Sequence, residues 1–90
     1  MIFITGSCKE IEVLSLENVK TLTDYALALV GNNCKNLKRI NISYNKKITF
    51  LAVDRLIQSC PRLKMIEAKK TCFKISQDYK DAFKAIEFVQ

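Results

Sequence analysis

The chain has 90 residues, 49% of them hydrophobic and 27% charged, with two glycines, one proline and four cysteines. This is one small domain or part of a larger one, and the composition excludes a disordered or fibrous chain. A net charge of +6 favours acidic partners (nucleic acid, anionic lipid or an acidic protein surface) without choosing among them.

Residues 1–7, Met-Ile-Phe-Ile-Thr-Gly-Ser, are apolar but lack a basic leader and a full hydrophobic segment, so no secretory signal is expected. They read as an N-terminal strand or the remnant of a preceding repeat. From Cys8 a period takes over. Cys8, Cys34 and Cys60 stand 26 residues apart, and the segments behind them align without gaps. Aliphatic residues recur three and six places after each cysteine: Ile11 and Leu14, Leu37 and Ile40, Leu63 and Ile66. The eighth place is Leu16, Ile42 and then Ala68. Such alternation predicts three short strands, each apolar on one side.

A polar loop follows each strand. Thr23, Thr49 and Ser76 then stand where a hydroxyl caps a helix start, and helices are expected at roughly 24–33, 50–59 and 77–89. Leu27 with Val30, and Val53 with Leu56 and Ile57, mark the buried faces of the first two. In the tail, Tyr79, Phe83 and Ile86 fall on one face of an expected amphipathic helix. A strand, turn and helix in 26 residues closes no core alone, but stacked copies do.

These residues resemble the cysteine-containing leucine-rich repeats, approximately C-x2-L-x2-L-x-L followed by a polar or cysteine position and I/L-T-D. Cys8, Ile11, Leu14, Leu16, Leu22, Thr23 and Asp24 match the first unit. Cys34, Leu37, Ile40, Ile42, Asn45, Ile48 and Thr49 match the second, and Cys60-Pro61, Leu63 and Ile66 the third. The resemblance implies a single α/β domain over 1–90: a short solenoid of about three repeats (8–33, 34–59, 60–90) with parallel strands on the concave face and helices on the convex one. It further implies protein binding through the strand face, as in the substrate-recognition regions of F-box proteins in SCF-type ubiquitin ligases and in related repeat proteins without an F-box. Seven residues precede Cys8, too few for an F-box, so a separate short protein or a segment of a longer one is expected. Self-association, a bound partner or further repeats would then cover the ends of the stack.

Alternation along the strands names the candidate partner-binding residues. They form the columns Val13–Arg39–Met65, Ser15–Asn41–Glu67 and Glu17–Ser43–Lys69, with Tyr44 alongside. Mixed columns suit a protein or peptide; ordinary solvated strand residues are the plainer reading. Lys20, Lys46, Lys47 and Lys70, together with Lys69, fall after successive strands and form a candidate anion-binding edge, which leaves nucleic acid open as an alternative partner. Solubilising lysines, or an architectural subunit with these surfaces buried in a larger complex, are the other readings.

No metal, cofactor or catalytic residue is expected. The chain has no histidine, no C-x2-C pair, no glycine-rich phosphate loop and no nucleophile elbow. Its cysteines read as a buried ladder of small side chains, with Cys72 in a loop. No apolar run is long enough for a bilayer. Free thiols without an export signal point to an intracellular site, cytoplasmic or nuclear. Asn41-Ile42-Ser43 matches a glycosylation sequon but falls in a strand and is read as chance.

Overall fold

Three β-rich segments and three helical ones alternate as expected, and a fourth strand follows. In the computed structural model, which describes residues 10–19 and 22–90, the order is β1 (Val13–Ser15), α1 (Asp24–Asn33), β2 (Arg39–Asn41), α2 (Phe50–Ser59), β3 (Met65–Glu67), α3 (Gln77–Ala82) and β4 (Glu87–Val89). The strands form one parallel sheet in the order β1-β2-β3-β4. Val13 pairs with Arg39 and Arg39 with Met65, so the sequence period is also the sheet register. The expected strand or remnant at 1–7 lies outside the described residues, as do Cys8 and Lys20.

Each strand is longer in hydrogen bonding than its three formal residues. Ahead of it, the Lys38 and Arg39 amides donate to Glu12 O, and the Lys64 and Met65 amides to Lys38 O. Beyond it, Leu16 N–H donates to Asn41 O, Asn18 to Ser43 O, Ile42 to Glu67 O and Tyr44 to Lys69 O. The turns therefore stack in the same register as the strands. Asn18, Tyr44 and Lys70 occupy equivalent places in them, each with a left-handed backbone (φ 55°, 63° and 56°).

One face of the sheet packs under the helices. Leu16, Ile42 and Ala68 are buried in one row, Ile40 and Ile66 in another, and Leu37 and Leu63 in a third. Leu27 and Val30 of α1 and Val53 and Leu56 of α2 close over them. Each such side chain contributes about 1.5–3 kcal/mol on burial. Cys34 and Cys60 are buried, with Cys60 Sγ 3.4 Å from Cys34 O. Burial pushes the Cys60 thiol above its ordinary range, partly opposed by the Lys35 ammonium. Gly31 faces Ser59, where an added Cβ would sit 3.1 Å from Ser59 Cβ, so its bare backbone lets α1 and α2 lie close.

The tail departs from the expected helix. α3 ends at Ala82, Phe83 caps it, and Ile86 N–H closes a turn on Phe83 O. Residues 87–89 then pair with β3, Met65 against Glu87 and Ile66 against Phe88. The physical reason is a competition. Ala-Ile-Glu-Phe alternates as well as it spirals, and β3 offers a row of open backbone groups. Glu87 N–H takes Lys64 O, and Ala68 N–H takes Val89 O. The last crossover is thus shorter, and α3 has six residues against ten in α1 and in α2. Where α3 stops, a cleft of about 320 Å³ lies between the end of α2 at Ile57 and Cys60 and the turn at 82–86.

The cross-links between neighbouring units also differ from expectation. Thr23 Oγ1 accepts from Ala26 N–H and Ser76 Oγ from Tyr79 N–H, as caps do. Thr49 does not cap its own helix. Its amide and hydroxyl both donate to the Asp24 carboxylate, the amide at 2.8 Å. Asp24 therefore ties α1 to the start of α2 rather than merely facing solvent. Asp54 does the same one unit on, accepting from the Tyr79 hydroxyl at 2.6 Å. Around that bond Phe50, Phe73, Tyr79, Phe83 and Phe88 form an aromatic cluster, with Phe50 and Tyr79 ring centres 4.7 Å apart. Burial first, then the Asp54 hydrogen bond and charge, push the Tyr79 phenol above its ordinary value.

Candidate functional site

The face of the sheet away from the helices is open. Val13, Ser15, Glu17 and Arg39 are exposed there, and Asn41, Met65 and Glu67 are half-buried. The parallel pairing aligns Val13, Arg39 and Met65 in one row and Ser15, Asn41 and Glu67 in the next. Val13 keeps 65% of its surface in contact with solvent, an unusual exposure for a β-branched side chain on a strand. Arg39 Nη2 lies 3.4 Å from Met65 Sδ, so the guanidinium leans along its row. Along the rows runs a shallow groove of about 240 Å³, with Val13 and Met65 as its apolar side chains, Arg39 and Glu67 at its rim and the strand backbone at Leu14 and Ile40 beneath. Apolar side chains, one cation and one anion are the elements of a peptide-binding surface.

One expected face residue is misplaced. Ser43 is buried, 1% exposed, and does not present its hydroxyl outward. Its amide donates to Asn41 Oδ1 and its Oγ accepts from Lys69 N–H, because the chain turns inward at the strand end. The column Glu17–Ser43–Lys69 therefore has exposed members only at Glu17 and Lys69. Asn41 is likewise tied to its own turn by that bond.

Directly inside lies a residue whose role sequence reasoning left unassigned. Asn45 is 3% exposed, and its amide donates to three carbonyls: Leu16 at 2.7 Å, Ile42 at 2.9 Å and Ser43 at 3.2 Å. Asn45 Oδ1 is buried with no partner among the described residues, so the residue is held by what its amide donates. One unit on, Thr71 Oγ1 bridges Ala68 O and Phe73 O. The signal available in sequence was its place at the polar-or-cysteine position of the repeat pattern, three residues after Ile42.

At the edge where the strands end, Tyr44, Lys46, Lys47, Lys69 and Lys70 are all exposed. Lys46, Lys47 and Tyr44 border a cleft of about 370 Å³ with Val19 and Leu22 as its apolar wall. Among the described residues no group of three histidine, cysteine, aspartate or glutamate side chains gathers around a common point. Cys72 is exposed, its Sγ 3.2 Å from Ile48 O. No helix among the described residues is long and apolar enough to cross a membrane.

Comparison with known proteins adds one relationship. No family model matches the chain. The chain is similar to an Arabidopsis thaliana protein described as F-box protein SKIP1, 25% identical over 65 residues. The match takes in 72% of this chain but only 22% of that protein, so the chain spans under a quarter of its relative's length. The similarity is a weak pointer toward F-box-related proteins and toward a role in protein interaction.

Proposed function

We propose that the chain is a stretch of leucine-rich-repeat solenoid that binds a protein partner through its open strand face, serving as substrate-recognition surface in an SCF-type ubiquitin ligase. The observation that carries the reading is the row Val13–Arg39–Met65, repeated at the register of the sheet and left uncovered. A parallel sheet ordinarily has both faces covered, so an open face with an apolar groove is a surface with a use. The similarity to an F-box protein supplies the ligase context. This reading assigns the chain no catalytic step and places it inside the cell.

Immobilised chain incubated with extract of the cells that express it tests the reading. Val13→Asp with Met65→Asp should abolish capture of the partner, while Leu51→Asp on the exposed side of α2 should leave it intact. The opposite pattern would move the interface to the helices and overturn the proposal. For the ligase context, fusing the chain to an F-box should raise ubiquitylation of the captured protein, and the strand-face variant should not.

A further inference from the structure

The edge at which the strands end carries lysines in adjacent pairs. Lys46, Lys47, Lys69 and Lys70 are exposed in two consecutive stacked turns. Among the described residues the ion pair that forms is Lys38 with Glu12, at the opposite end of the strands, and none of these four lysines has a carboxylate within salt-bridge distance. Glu67, the carboxylate nearest Lys69 in the chain, stays on the strand face without an ion pair to it, and other acidic side chains are engaged or set apart. Asp24 is held by the Thr49 amide and hydroxyl, and Asp54 by Tyr79. Glu17 lies in the turn two strands away from Lys69. Four like charges gathered on neighbouring strands about 4.8 Å apart repel one another, and an acidic ligand relieves that repulsion.

The edge also has an apolar component. Val19 and Leu22 wall the cleft beside Lys46 and Lys47, and the half-exposed Tyr44 ring stands at its mouth. Tyr44 holds a left-handed backbone, φ 63°, and its N–H is bonded to Lys69 O, which anchors the Tyr44 backbone beside the second lysine pair.

We propose that this edge grips an acidic peptide segment of the protein partner, its carboxylates on the two lysine pairs and one apolar side chain in the cleft. The inference rests on the strand-face reading and specifies the chemistry of the partner. Nucleic acid fits less well for three reasons. The cations are all lysine, without the arginine fork that matches a phosphate. Tyr44 is the single aromatic among them. The adjoining strand face carries Glu67 and Glu87, which a continuous phosphate backbone would meet and a peptide can avoid by placing its acids only on the lysines.

The test uses the full chain and a fluorescent peptide alternating Glu and Ser around one central Leu, with a single-stranded oligonucleotide of equal net charge as a second probe. Binding is read by anisotropy at low and high salt, about 50 and 200 mM. Lys46→Gln with Lys47→Gln should weaken peptide binding about tenfold, equivalent to roughly 1.4 kcal/mol. Arg62→Gln with Lys64→Gln removes the same charge from the opposite edge and should change it little. Circular dichroism of each variant establishes that the fold is kept. Equal weakening by both pairs would reduce the effect to net charge and overturn the proposal. Tighter binding of the oligonucleotide, or no peptide binding by the unaltered chain, would overturn it too. If the lysine variants are silent while Val13→Asp with Met65→Asp still abolishes partner capture, the edge proposal falls and the strand-face reading stands.

Discussion

Asn45 is the side chain whose loss should be felt most per atom removed. Its amide serves three carbonyls from two successive turns, and no aliphatic replacement can donate to any of them. Asn45→Ala is expected to cost about 2–4 kcal/mol, since each buried carbonyl left bare costs about 1–3. A fall in the urea midpoint at unchanged slope would show it; a loss under about 1 kcal/mol would mean that water replaces the amide. Lys70 offers the reverse case. It is exposed and adopts φ 56°, a conformation that costs an ordinary residue about 1–2 kcal/mol and asparagine less. Lys70→Asn should therefore stabilise the chain by about 0.5–1 kcal/mol, while Lys69→Asn, with no such backbone, should not. Asn18 already stands at the equivalent place two units earlier.

Between elements, two carboxylates join neighbouring units. Asp24 to Thr49 and Asp54 to Tyr79 span 25 residues each, close to the repeat period. A double-mutant cycle on Asp24→Ala and Thr49→Ala should give a coupling of about 0.5–1.5 kcal/mol, and additive effects would mean the bond contributes nothing net. The second link adds a pH dependence. The Tyr79 phenol is raised in the folded chain by burial and by Asp54, so its neutral form is favoured by folding. Its contribution is whole below the unfolded value of about 10 and is lost as pH rises through the higher folded value. Tyr79→Phe should therefore lose less stability on going from neutral to strongly alkaline pH. A variant with the parent's full alkaline loss would show that other groups carry it.

For the molecule as a whole, the period told most. Three cysteines in step located β1 to β3 and both long helices, because strand, turn and helix starts follow one pattern in the first two units. Ser43 escaped because alternation alone cannot see where a strand ends. Two residues beyond Asn41 the chain still alternates on paper, but a turn held by Asn41 Oδ1 and Lys69 N–H has already taken Ser43 inside. β4 escaped for a different reason. Ile86 and Phe88 satisfy a helix or a strand equally, and the choice is made by the open edge of β3, which no local window contains. Phe88→Ala should accordingly cost about 3 kcal/mol or more by removing β4 from the aromatic cluster. Unfolding followed by circular dichroism would read it, and a cost near zero would mean that β4 contributes little to the whole.

The short last helix gives the buried thiols different chemical lives. Cys34 is enclosed within the sheet and helices, whereas Cys60 lines the cleft that the turn at 82–86 covers. Opening α3 and β4 alone would bare Cys60 to a reagent; baring Cys34 requires the central units to come apart. Alkylation followed residue by residue thus makes the two sulfurs clocks for separate events, one for fraying of the final unit and one for collapse of the whole, with exposed Cys72 marking the unhindered rate.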